Sequence, residues 1–447
     1  MPVDSRTIPA ADATAGAPAP NASSMDTAIV LFTRDLRVHD HPALSAACER
    51  GGRVVPLFVL DPEVPAGHRT GFLLDCLADL RESLRSRHGD LLVRRGDVVA
   101  ETMRLAREVE ADAIYASADV SELGRSRERR LAGERVDVRL FPGLTVVPPG
   151  ALTPSGGGDH YRVFTPYWRA WSRSRRRAVL PPPARVPVPS GLVAGDLPDH
   201  SSHPALEGGE SAARARMNRW MTRGLDGYAD GHDDLAGDRT SRLSPYLRFG
   251  CVSPLELADH AEAGADEEHA FVRQLCWRDF FHQVAWAFPR INRDDYRPGS
   301  RRWRDDAHAV SAWKEGMTGV PIVDAGMRQL LAEGWMHNRA RMIVADYLVN
   351  HLGVDWRAGA AHFFDLLLDG DVANNSGNWQ WMAGTGNSTR PGRVLNPVRQ
   401  ARRFDPGAAY IRRYVPELAG LPAIDAREPW RLSKEVPGYP APLTPVE

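Results

Sequence analysis

The sequence holds very little lysine: of its 56 basic residues only Lys314 and Lys434 are lysine, and the rest are arginine. Paired with a high alanine content, this bias reads as the imprint of a GC-rich genome before it reads as a binding signal. Cysteine is also scarce. Cys48, Cys76, Cys251 and Cys276 are the only four, and no two stand in CxxC spacing. That excludes a zinc ribbon or a dithiol redox motif and fits reduced, buried thiols in a cytoplasmic protein. No apolar run approaches the roughly 20 residues of a membrane-spanning helix. Net charge is nearly absent, at -1, so any nucleic-acid site must be a local patch. Several motifs are missing as well. No GxGxxG follows the first strand-like run, and there is no GxxxxGK[ST], no HExxH and no nucleophile elbow. A P-loop, a zincin and a serine hydrolase are thereby unsupported, and no His or Cys stands at ligand spacing to make His337 a metal ligand.

What is there is a chain of 447 residues, 43% hydrophobic and 25% charged, ordinary for a soluble globular protein of about two to three domains. Residues 1–26 are Ala, Pro, Ser and Asp with little else. They lack the basic start and apolar core of a secretory leader and read as a disordered tail. Over 27–147, short β-branched runs at 28–32, 54–60, 91–95, 113–117 and 136–141 alternate with amphipathic stretches such as 71–89. This pattern predicts a Rossmann-like α/β domain with a parallel sheet and helices on both faces, whose ligands sit beyond the carboxyl ends of the strands. Pro, Gly and Ser clusters mark 148–210 as a connection between domains. Within it, 161–177 predicts one helix carrying aromatics and, between 169 and 177, five arginines. From 211 to 430 helical periodicity takes over and predicts an all-α domain, followed by a tail at 431–447.

Tryptophan is distributed unevenly. None of the 12 lies in the first 160 residues, while Trp277, Trp303, Trp313, Trp335, Trp356, Trp379 and Trp381 crowd the helical part. Core packing explains many of them, but base stacking and electron transfer would each use such a set. Four polar stretches stand among them. TSRLSPYLRFG (240–250) puts hydroxyls and Arg242 at a helix start, where free N–H groups can hold a phosphate or a capping box can form. RQLCWRDFFHQ (273–283) sets Gln274 and Arg278 on one helical face beside Trp277. GWMHNRARM (334–342) places Asn338 one turn from Arg341 and Met342. LLDGDVANNSGNWQW (367–381) gathers Asp369, Asp371, Asn374 and Asn375, which can meet ribose hydroxyls and a heteroaromatic edge, or close on themselves as Asx turns. Together these fit a large planar cofactor walled by tryptophan.

At these stretches the chain resembles the photolyase/cryptochrome family from about residue 27 to 440, and within it the class I cyclobutane pyrimidine dimer photolyases, actinobacterial ones above all. FTRDLRVHDHPAL (32–44) is similar to the family's amino-terminal motif, and the four stretches match its flavin-domain motifs in order. The resemblance implies light-driven repair of pyrimidine dimers by an enzyme with bound FAD. Tyr228, Thr240, Ser241, Arg242, Leu243, Ser244 and Arg278 would hold its ribityl and phosphate groups. Asp369, Gly370 and Asp371 would lie near the ribityl and adenosine groups, with Arg341 paired to Asp369. Asn374 would face flavin N5.

Trp379, Trp356 and Trp303 match the family's electron-transfer row. Trp277 matches the residue that stacks on a flipped-out dimer, with Asn338, Met342 and Trp381 lining the same pocket and His232 touching DNA. Position 274 departs from the family pattern: Gln274 stands where the best-known members carry Glu. A Gln amide still offers one acceptor and two donors, so Gln274, Asn338 and Asn374 are the expected catalytic amides. A single His337 followed by Asn338 favours the cyclobutane dimer over the (6-4) product. SELGRSRERR (121–130) is more similar to the branch that binds 8-hydroxy-deazaflavin as antenna than to the methenyltetrahydrofolate branch, and Arg34, Asp35 and Arg37 lie near that expected site. In the bland reading those three cap the sheet and salt-bridge to the helical domain. The implied partner is UV-damaged DNA, bound by a monomer without an obligate protein partner or a membrane. The alternative function is blue-light sensing by a cryptochrome-like flavoprotein without repair.

Overall fold

The structure, a computed structural model, describes residues 26–62, 68–263, 270–299 and 301–445. The tail expected over 1–26 lies outside the described residues except for Asp26. Five strands, β1 Thr27–Phe32, β2 Arg53–Leu60, β3 Leu92–Arg95, β4 Ala113–Ser117 and β5 Asp137–Phe141, form a parallel sheet in the order β3-β2-β1-β4-β5. Each begins within a residue of the run that predicted it. β1, β2 and β4 read as unbroken apolar sequence because both their faces are covered, and every residue of β1 and β4 is buried. The outer strand β5 instead exposes Asp137 and Arg139, paired at 2.7 Å. Charges on an edge discourage pairing with another chain. The helices α1 Pro42–Glu49, α2 His68–Arg85, α3 Val98–Glu108 and α4 Glu122–Ala132 make the crossovers.

The stretch from 148 to 210 holds one helix, α5 Phe164–Ser172, five residues shorter at its end than the sequence pattern predicts. Ion pairing explains the stop. Arg176 reaches Glu262 at 2.8 Å and lies over Trp171, and Arg177 binds Asp40 at 2.8 Å, which pulls the chain out of helical geometry. Farther on, Pro187 and Ala194 accept hydrogen bonds from Val54 and Val93, so the segment lies along the sheet.

The remaining chain is helical: α6 Glu210–Arg223, α7 Tyr228–Gly231, α8 Ser244–Phe249, α9 Pro254–Glu262, α10 Ala270–Ala287, α11 Ala307–Glu315, α12 Pro321–Glu333, α13 Asn338–Asp346, α14 Trp356–Leu366, α15 Val372–Ala383, α16 Pro397–Phe404, α17 Ala409–Tyr414 and α18 Ala423–Arg427. A π-helical turn, Tyr347–His351, joins α13 to α14. One hydrophobic core runs from the sheet face through Phe32 and Phe72 into Tyr246, Phe249 and Phe280, while a second surrounds Trp313, Trp356 and Trp379.

Three devices lock the sheet to the helices. The buried Arg37 guanidinium donates to the carbonyls of His39, Asp40, Gly143 and Gly250. Gly250 ends α8 at φ 71°, and any Cβ there would collide with the Arg34 backbone, so glycine is required twice over. The Asp279 carboxylate on α10 accepts from Val146 and Val147 N–H and from the Trp171 indole at 2.9–3.0 Å. Burial pushes its pKa up to about 6.

Candidate functional site

The Asp/Asn cluster, which the sequence offers as a loop closed by Asx turns, instead opens a helix: α15 runs through Asn374 to Trp379, and Asp371 is its N-cap. One carboxylate oxygen accepts from Asn374 N–H and from the Asn374 side-chain amide, each at 2.8 Å. Capping by Asp satisfies a helix N–H that would otherwise be orphaned. The other oxygen is ion-paired with Arg34, which leaves the end of β1 and also reaches Asp119 beyond β4 at 3.3 Å. The chain Asp371, Arg34, Asp119 thus ties the carboxyl edge of the sheet to α15. Burial alone would raise the Asp371 pKa; Arg34 beside it, then His282 and Arg278, hold it well below the usual carboxylate range.

Positive charge is in surplus around this joint. Arg248 donates to the Gly370 carbonyl at 2.6 Å, and Arg69 packs against Gly370. Burial, with Arg34 and Arg69 nearby, pushes the Arg248 pKa down to about 9. Arg34 Nε, Arg69 Nη1 and His282 Nε2 are buried without a hydrogen-bond partner among the described residues. His282 stands one turn after Arg278 on α10, donates from Nδ1 to the Arg278 carbonyl at 2.8 Å, and turns Nε2 toward Asp371 at 3.8 Å. Burial, aided by the neighbouring arginines, pushes its pKa down to about 4.

His282 is therefore neutral in the folded protein between about pH 4 and its ordinary value near 6.5 and takes up a proton on unfolding there. Stability is expected to fall as pH falls through that window, by up to about 1.4 kcal/mol per pH unit from this group. Urea unfolding of His282→Gln checks it; the variant should lose this part of the slope.

Arg341 and Asp369 meet as expected. Two parallel bonds of 3.0 and 2.8 Å form a fork, and Arg341 Nε donates to the Met336 carbonyl. Such bidentate geometry fixes orientation as well as charge. The loop carrying Thr240 to Ser244 is held from within. Thr240 donates to Asp238, Ser241 Oγ accepts from Leu243 N–H, and Leu243 is buried. Arg242, at φ 48°, is bound to Asp238 at 2.6 Å and Glu333 at 2.9 Å and lies over Trp335, whose indole N–H donates to Ser244 at 3.4 Å. Tyr228 is buried edge-on to Trp220, and His232 bonds back to the Tyr228 carbonyl. Arg278 is taken up at the joint by the Leu144 carbonyl at 2.6 Å and by Asp279.

A second group of residues faces outward. Trp277 stacks flat on Phe164, with centroids 3.5 Å apart, and stands at 90° to Trp381 at 5.2 Å. Gln274 and Asn338 are exposed, and Met342, one turn beyond Asn338, is half-buried. A third group differs in burial. Trp379 and Trp356 are buried, and Trp303 is partly exposed beneath Arg301. Any side chain at Gly359 would run into the Trp379 ring, so glycine lets α14 touch α15 at that indole. Trp356 donates from Nε1 to Asp295 at 2.9 Å.

Arg248, His282, Asp119 and Asp295 escaped the sequence reading. His282 had one signal, its place four residues after Arg278 on the same helical face. Asp295 lies in a loop with none. Of the antenna-site candidates, Asp35 pairs with His41 at 3.0 Å, while Arg34 and Arg37 join the sheet to the helical part. No helix among the described residues is long and apolar enough to cross a membrane.

Two family models match the chain: DNA photolyase over residues 28–189, and the FAD binding domain of DNA photolyase over 271–446. A deoxyribodipyrimidine photo-lyase from Streptomyces griseus is 50% identical over 427 residues, which covers 91% of this chain and 93% of the relative. Among solved structures, a bacterial class III photolyase from Agrobacterium tumefaciens superposes with a TM-score of 0.88 at 33% identity, covering 95% of each chain. A cryptochrome from Synechocystis also reaches 0.88, at 30% identity, covering 95% of this chain and 97% of its own.

Proposed function

The chain belongs to the DNA photolyase family and is a lyase of that kind, and from this premise we propose that it repairs cyclobutane pyrimidine dimers in DNA under blue light. The observation that carries this reading is the outward pair Trp277 and Trp381 on the same two helices, α10 and α15, that bury His282 and Asp371 behind them. FAD, when bound and reduced, supplies on illumination the electron that opens the dimer's cyclobutane ring. The residues present fit such a cofactor: guanidinium groups in surplus, buried donors without partners, and a bidentate Arg341–Asp369 pair.

Each residue has a task that its surroundings support. Tyr228, Thr240, Ser241, Leu243 and Ser244 line the phosphate and ribityl part. Arg242, already shared between two carboxylates, fixes that loop rather than lending charge to the ligand. Asp369, Gly370 and Asp371 position Arg341, Arg248 and Asn374 around the sugar and ring. The Asn374 amide donates to Asp371 at 2.8 Å and lies beside the His282 ring. A dimer inside a duplex is out of reach, so the lesion must be flipped out, at a cost lowered by its poor stacking. Trp277 and Trp381 then offer a stacking wall, Met342 fills the side, and the Asn338 and Gln274 amides meet the base edges. His232 and the DNA backbone contacts position the strand without reading it.

Trp379, Trp356 and Trp303 carry electrons inward when the cofactor must be reduced by light. Trp303→Phe is expected to slow photoreduction and to spare repair by chemically reduced protein; equal loss of both would contradict this division of tasks. For the second chromophore we favour 8-hydroxy-deazaflavin over methenyltetrahydrofolate. The support is the segment 121–130, SELGRSRERR, which is more similar to the deazaflavin-binding branch. The competing reading, a light sensor without repair, draws on Gln274 and on the likeness to the Synechocystis cryptochrome. Disappearance of dimers from UV-irradiated DNA in blue light, and not in the dark, tests the proposal.

A further inference from the structure

The surroundings of Trp356 are unlike those of a packing residue. Its ring is fully buried, yet its Nε1–H is given to a carboxylate, Asp295 Oδ1, at 2.9 Å. The same oxygen accepts from Arg357 Nη2 at 2.9 Å, and the Arg357 guanidinium lies 4.7 Å over the Trp356 ring. Arg357 is also shared with Asp355 at 3.1 and 3.2 Å. The indole N–H thus meets a carboxylate, and the guanidinium above the ring is itself shared between two carboxylates.

Removing an electron from an indole leaves a positive charge and makes its N–H a much stronger donor. A carboxylate on that N–H stabilises the oxidised ring more than the neutral one, because charge-assisted hydrogen bonds are the strong ones. The ring is buried, and Asp295, 22% exposed, meets it through a direct hydrogen bond and not across solvent. The Trp379 ring, by contrast, packs edge-on against Phe363 at 5.0 Å and Trp313 at 6.0 Å.

We infer that Asp295 sets the direction of electron flow along the tryptophan row by stabilising the hole on Trp356. The inference rests on the row proposed above. In the step concerned, one electron passes from Trp356 to oxidised Trp379. Trp379 is restored, Trp356 becomes the oxidised indole, and no covalent bond breaks, its Nε1 proton remaining hydrogen-bonded to Asp295. The original oxidant is the photoexcited oxidised flavin that first drew an electron from Trp379. Trp303, partly exposed, refills Trp356 and hands the hole to solvent reductants. Asp295 is thus a positioning residue for electron transfer and takes no part in the splitting of the dimer.

The test is flash spectroscopy of the FAD-loaded, oxidised protein, following the lifetime of the tryptophan radical in wild type, Asp295→Asn, Asp295→Glu and Trp356→Phe. Asparagine keeps the acceptor oxygen and the shape but loses the charge. Its radical should recombine faster by roughly tenfold, equivalent to about 1.4 kcal/mol of lost bias, and glutamate should restore most of the lifetime. An unchanged dark flavin spectrum confirms that the fold survives. If Trp356→Phe shortens the lifetime and Asp295→Asn does not, the inference is overturned while the row stands. If Trp356→Phe also has no effect, the row itself is wrong and the inference falls with it.

Discussion

Asp371→Asn is expected to destabilise the protein by about 3–5 kcal/mol, the cost of leaving one member of a buried ion pair alone. Arg34, 14% exposed at its side chain, would be left with Asp119 at 3.3 Å, and His282 and Arg278 would lose a counter-charge. The helix cap itself survives, since Asn caps as well as Asp, so the loss reports the charge rather than the start of α15. The pH dependence has a definite sign. A carboxylate held below its ordinary value contributes fully above that value, about 3.9, and the contribution is lost as pH falls through the depressed one. Wild type should therefore lose this term in acid, and Asp371→Asn should lack that limb. Urea midpoints at neutral and acid pH measure both. A second substitution, Arg34→Met, should recover part of the loss by removing the stranded charge; strict additivity of the two would contradict the coupling.

Trp277→Ala is expected to weaken binding of dimer-containing DNA by about 1–3 kcal/mol, as for other base–aromatic stacks. That spans several-fold to roughly a hundredfold in Kd. Affinity for undamaged duplex should barely move, because contacts to the backbone position DNA without regard to the lesion. Trp277 also covers Phe164 face to face, so the melting temperature must be followed alongside. A fall in stability with unchanged discrimination between damaged and undamaged DNA would assign Trp277 to packing alone.

The strands were legible because a sheet buried on both faces demands continuous apolar sequence, as in Ile29 to Phe32 and Val54 to Val59. The start of α15 was not read: the same Asp and Asn residues that suit an Asx turn also cap a helix, and Asp371 does the latter. The pairing of Arg341 with Asp369 came from family resemblance, and the geometry agrees with it. What periodicity could not give was anything made by distant partners. Arg34 and Asp371 are 337 residues apart. The end of α5 at Ser172 is set by acids on α9 and in the turn after β1, and no local pattern announces them. His282 is apolar in its burial and polar in its chemistry, so a hydrophobic pattern absorbs it without comment. Asp295 sits in a loop, where an aspartate is ordinary until its indole partner is seen.

The central claim, light-driven splitting of the dimer by a chain with glutamine at position 274, has a direct measurement. Purified protein, with its flavin fully reduced, is mixed with UV-irradiated oligothymidine, and the recovery of ultraviolet absorbance is followed in blue light and in the dark. Recovery in light alone is the predicted result and would show that the Gln274 amide suffices for repair. No recovery in light from protein that demonstrably holds reduced flavin would contradict the account and leave a light sensor in its place.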